Sequence, residues 1–118
     1  MQFAPLAVMA AWLAASSAQA AERPIDITLA AGKVDEICLP LKAGQALQWR
    51  FSADVPVAFN LHHHVGKQVL MPVDLKATAG HEGRHVAEQT NDWCLMWTAP
   101  RDRAAVVRGS FTTDAAAR

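Results

Sequence analysis

QALQWRFSADVPVAFNLHHH, residues 45–64, decides the fold. Leu47, Trp49 and Phe51 alternate with Gln48, Arg50 and Ser52, and Val57, Phe59 and Leu61 alternate with Ala58, Asn60 and His62. A period of two puts each apolar set on one face of an extended strand and each polar set on the other. Asp54-Val55-Pro56 lies between the two runs, and Pro cannot donate to a strand ladder, so the reading is two half-buried strands with a break.

The same period extends outward. Ile25, Ile27 and Leu29 alternate with Asp26 and Thr28 until Ala31-Gly32 ends the run. Val65-Gly66 reads as a turn into a strand over 67–73, and the polar, Gly-containing stretch 76–83 reads as a loop. Further strands are expected at 84–89, 93–98 and 104–112, parted by Thr90-Asn91-Asp92 and Pro100-Arg101-Asp102. About eight short strands at spacings of eight to twelve residues, with no amphipathic helix, predict an all-β antiparallel sandwich.

Residues 1–21 contain no charged side chain, and Phe3 to Ala15 is an apolar run followed by Ala18-Gln19-Ala20. That order fits a secretory signal peptide over 1–20, shorter than a membrane span, and leaves a single domain over 21–118 with no membrane anchor. The periplasm or the exterior is the expected location. Eleven acidic and eleven basic residues balance and intersperse, which excludes the basic patch of a nucleic-acid binder. No GxGxxG or GxxxxGK[ST] pattern supports nucleotide chemistry.

Cys38 and Cys94 are the only cysteines. In an oxidising compartment the default is one disulfide, with a reduced metal-binding pair as the rival. The order Cys38…Trp49…Cys94 resembles an immunoglobulin domain, but Asp92 stands where a tyrosine corner would place Tyr. Parity also turns both cysteines away from the apolar faces of Ile37/Leu39 and Trp93/Leu95/Trp97, so a central inter-sheet pin is not supported.

A second resemblance rests on Cys38-Leu39-Pro40-Leu41 with Gly44, Leu47 to Phe51, Val57 to Leu61, Trp93-Cys94-Leu95-Met96-Trp97 and Val106-Val107-Arg108-Gly109. Over about 25–112 the chain resembles the GOLD β-sandwich of p24-related lumenal domains and small exported bacterial proteins. The resemblance implies a sandwich with paired cysteines. It implies no cargo-receptor role, because the p24 coiled coil, span and cytosolic tail have no counterpart here.

The chemistry-bearing cluster is histidine. His62 and His64 fall on one strand face about 6–7 Å apart, two strand steps, opposite in phase to Val57, Phe59 and Leu61, and so are expected to be solvent-accessible. His63 points toward the core edge. A Val65-Gly66 two-residue loop would pair Asn60 with Met71 and bring Met71 onto the histidine face, whereas a three-residue loop would turn it to the core. His81 and His85 could complete the set. Thioether with imidazole suits copper, and imidazole alone suits zinc equally. The expectation is an exported metal-binding protein that sequesters or hands on copper, or zinc, through His62, His64, Met71, His81 and His85. The alternative is a GOLD-like protein-interaction module with a periplasmic protein partner and incidental histidines.

Catalysis is not expected. His81-Glu82-Gly83-Arg84-His85 spells HExxH, but that mechanism needs a helix, and Gly80 and Gly83 oppose one.

Overall fold

The computed structural model describes residues 2–4 and 21–114, so the leader expected over 1–20 lies almost wholly outside the described residues. Among the described residues six strands follow one another: β1 (Arg23–Leu29), β2 (Val34–Leu41), β3 (Ala46–Val65), β4 (Gln68–Val86), β5 (Asn91–Thr98) and β6 (Ala105–Thr113). All pairings are antiparallel, in the order β1-β6-β3-β5-β2 with β4 on the other edge of β3.

The expected antiparallel β-sandwich is present, built from six strands because two are long. Residues 47–53 of β3 pair with β6, and residues 58–62 pair with β5 along the same edge. The chain bends between, at the Asp54-Val55-Pro56 break, where four residues of β3 lie between ladder partners that are two apart on β4. Asp54 Oδ1 accepts a hydrogen bond from the Val106 amide there, 2.8 Å, which ties the bend to β6. The sheet thus folds back on itself, and Phe51 on one side of the bend packs on Phe59 and Trp97 on the other, ring centroids 4.7 and 5.7 Å apart. Trp93, Trp97, Phe59, Leu61 and Leu95 are fully buried between the layers.

The loop expected over 76–83 is instead part of β4. Its glycines serve close approach rather than turning. Gly83 pairs with Trp49, and a Cβ at Gly83 would collide with the Trp49 indole that covers it. A bare glycine on an edge strand, shielded by a neighbouring aromatic, keeps the ladder intact where a side chain would not fit.

Two bulges shape β4. Met71 and Pro72 together oppose His62, and Lys76 and Ala77 together oppose Ala58. Pro is tolerated there because a bulge excuses a residue from ladder donation.

Cys38 and Cys94 are directly opposite on the neighbouring strands β2 and β5 and form a disulfide. The bridge lies on the outer face of one sheet, as the parity of the two cysteines required, and it fits an oxidising compartment.

Candidate functional site

The histidines occupy three separate places. His62 and His64 share the outer face of β3, ring centroids 5.4 Å apart. His62 is not accessible as expected. It is 5% exposed, covered by Cys94 beside it on β5 and by Glu36. Its Nδ1 donates to Asn60 Oδ1 at 2.7 Å, and its Nε2 lies 3.5 Å from a Glu36 carboxylate oxygen. Burial holds the His62 pKa below its ordinary value, and the neighbouring His64 and His63 push the same way against the opposing pull of Glu36. Glu36, His62 and Cys94 are close enough to share an ion, but the Cys94 sulfur is already committed to the disulfide.

His63 turns inward, as its phase predicted, and stacks on Trp93 at 3.8 Å with its Nδ1 buried and without a partner among the described residues. His81 is also on the inner side, where its Nδ1 accepts the Trp49 indole N–H at 3.0 Å. His85 donates from Nε2 to Glu88 Oε2 at 3.0 Å and leans on Trp93. Burial alone would raise the Glu88 carboxyl, but the hydrogen bond from His85, a backbone hydrogen bond and the nearby His85 and His63 together outweigh it and hold the pKa down.

His81 and His85 therefore do not join His62 and His64. The HExxH letters lie on β4 rather than a helix, and four strand steps separate the two histidines by about 13 Å along the chain. Met71 misses its expected partner as well. The hairpin turn is Gly66-Lys67, one residue later than expected, with φ 58° at Gly66 and no positive φ at Lys67. Glycine first with a non-glycine second is the primed-turn geometry that matches strand twist. The shifted turn and the bulge pair Asn60 with Asp74 and leave Met71 opposite His62.

What the hairpin end does assemble is apolar surface. Val65, Val69, Leu70 and Met71 are 38%, 46%, 42% and 43% exposed. His64 pairs with Val69 and His63 with Leu70, so the apolar residues fall on both faces of the ribbon. Beyond His62, β3 has only β4 as a ladder neighbour among the described residues, and the end projects past β5. Its root is braced: Asn91 Nδ2 donates to the His64 carbonyl at 2.6 Å, and the disulfide and the Asn60–His62–Glu36 chain lie immediately beneath. Exposed apolar side chains clustered at a braced ribbon end are a feature of protein-interaction sites. This patch was missed by period-two reasoning, although Val69-Leu70-Met71 gave a signal: three successive apolar residues cannot all face the core of a strand.

A second open surface differs in kind. A cleft of about 610 Å³ over the first half of the sheet is lined by Gln48, Arg50, Glu82, Arg84 and Ser110. Both of its arginines are ion-paired: Arg50 meets Glu22 at 2.9 Å and Arg84 meets Asp114 at 3.5 Å. The hydrogen bond from Ser110, then the Arg50 charge, holds the Glu22 carboxyl below its usual range.

The sequence matches no protein-family profile and no curated protein. Among solved structures that match the fold is Aeromonas hydrophila PliG, a periplasmic lysozyme inhibitor of g-type lysozyme. The two share 12% identity with a TM-score of 0.59, over 80% of this chain and 88% of that one. The class so defined is a small antiparallel β-sandwich, common to this chain and an exported inhibitor. The neighbour overturns the expectation of a copper- or zinc-handling protein, since its described business is with a protein and not with an ion.

Proposed function

We propose that this chain is an exported, periplasmic protein-binding module that inhibits a lysozyme-class enzyme. The observation that carries the reading is the likeness to the PliG lysozyme inhibitor over most of both chains. The braced apolar hairpin end supports it, because a rigid exposed patch loses little entropy on docking. The GOLD-like resemblance accords with the sandwich and adds no partner of its own.

Isothermal titration of the disulfide-intact chain with g-, c- and i-type lysozymes tests the reading. A one-to-one complex with at least one of them is expected, with the negative heat-capacity change of apolar burial. Absence of heat and of complex with all three would refute it.

A further inference from the structure

The geometry points to the outer edge of β4, from Gly80 to Val86, as a docking surface for a second copy of this chain, paired antiparallel about a two-fold axis at Gly83; the inference is independent of the proposed inhibitor role. β4 is laddered to β3 along one edge, and among the described residues no strand covers the other. An open strand edge is a template for a further strand unless something blunts it. The first part of β4 is blunted by its two bulges, by Pro72 and by Lys76. From Gly80 to Val86 the ladder to β3 runs through seven successive pairs without a bulge, and no proline interrupts it.

Hydrogen bonds at the two ends of this segment fix which backbone groups face outward. Ala87 donates to the Gln45 carbonyl and accepts from the Gly44 amide, so its polar groups face the β3 side. The Gly80 N–H and carbonyl are instead taken up by the Thr78 hydroxyl. Inward and outward residues alternate in an antiparallel ladder, so Glu82, Arg84 and Val86 share the outward phase of Gly80. Pairing about Gly83 sets Glu82 opposite the partner's Arg84, both in the outward phase, and each such pair exchanges two backbone hydrogen bonds. Gly83 then meets its own copy as a non-hydrogen-bonded pair, where Cα atoms come closest, about 4.5 Å apart. The Thr78 hydroxyl caps Gly80, so the new ladder ends at the two Glu82–Arg84 pairs.

The side chains agree with that register. Directly opposed residues share a face, so the two-fold creates two Glu82–Arg84 ion pairs between the copies. Glu82 has no ion pair of its own among the described residues: Arg50, opposite it on β3, is committed to Glu22, and Arg84 reaches Asp114 only at 3.5 Å. At each end Val86, 42% exposed in the single chain, comes to lie over the bare backbone of the partner's Gly80. Glu82, Gly83 and Arg84 also line the cleft of about 610 Å³, so the pairing sets the two clefts side by side on one continuous sheet. A strand paired with itself is an isologous contact, which closes at two subunits.

Sedimentation equilibrium of the disulfide-intact chain over a concentration series tests the assignment, with wild type, Glu82→Arg, Arg84→Glu and the double variant Glu82→Arg/Arg84→Glu. Both positions are exposed in the single chain, so melting temperatures should stay near wild type. The wild-type chain is expected to show a monomer–dimer equilibrium. Either single reversal sets like charges opposite each other at both pairs and should raise the dimer dissociation constant by about tenfold or more. The double variant restores opposite charges in the same register and should return the constant to near its wild-type value. A wild-type chain that stays monomeric at every concentration would overturn the inference. So would a dimer that the single reversals leave intact, or one that the double variant fails to restore. A dimer dissolved by Leu70→Asp and not by the reversals would place the second copy on the hairpin end and overturn the β4 assignment.

Discussion

Removing the Cys38–Cys94 bridge is the perturbation whose cost can be worked most fully from the structure. The bridge spans 56 residues and joins β2 to β5 on one sheet. In the folded state the two strands are already held in register by their ladder, so the bridge acts mainly on the unfolded chain. The loop-entropy relation for that span gives about 4 kcal/mol at 25 °C. A domain of this size melts with an entropy that converts each kcal/mol into about 5 °C, so the double variant Cys38→Ser/Cys94→Ala should melt about 20 °C lower. Alanine is chosen at 94 because that side chain is buried beside His62, where a new hydroxyl would need a partner. Urea unfolding of oxidised wild type and the double variant supplies both readouts. The midpoint should fall, and the slope m should rise, because an uncrosslinked unfolded chain exposes more surface. A loss below about 1 kcal/mol with unchanged m would refute the argument that the bridge constrains the unfolded state.

Three further outcomes follow from individual contacts. Gly83→Ala should destabilise by about 1–3 kcal/mol in a urea melt, because its methyl displaces the Trp49 indole and breaks the bond to His81; a neutral result would mean that the indole moves aside freely. His63→Phe keeps the stack on Trp93 and removes a buried nitrogen without a partner, so it should be neutral or stabilising by about 1 kcal/mol, and a marked loss would reveal a partner for that nitrogen. The lowered pKa of His62 means that the unfolded chain takes up a proton before the folded one does. Its contribution is therefore complete above the ordinary value of 6.5 and is lost as pH falls from there toward the lowered folded-state value. Urea midpoints between pH 7.5 and 4.5 should fall less steeply for His62→Gln than for wild type, and equal slopes would contradict the assignment.

Local alternation made the layers legible. The phases of Leu47/Trp49/Phe51 and Val57/Phe59/Leu61 placed each side chain on the correct face, and the phase of Cys38 and Cys94 excluded a central pin. The path of the chain was less legible. Asp54-Val55-Pro56 reads as an interruption, yet a strand can bend there and continue, since β6 supplies Val106 to the Asp54 carboxylate from far along the sequence. Gly80 and Gly83 read as loop, because nothing local reveals that an indole from another strand will cover one of them. The histidine site failed for a related reason. Period two put His62 and His64 on the outer face correctly, but it assumed that an outer face is open. Glu36 and the disulfide, brought in by β2 and β5, close it over His62. The placement of Met71 depended on the turn and on the bulge at Pro72, and a one-residue change in either moves the partner of every residue beyond it.

Inhibition itself is the central claim, and it is measured most directly by the clearing of a bacterial cell-wall suspension. A fixed amount of g-type, c-type or i-type lysozyme would be titrated with the disulfide-intact chain, alongside Leu70→Asp. The account predicts that lysis by at least one of the three enzymes falls to zero near one equivalent, and that Leu70→Asp shifts the curve to higher concentration. Full lytic activity of all three enzymes in the presence of excess chain would contradict it.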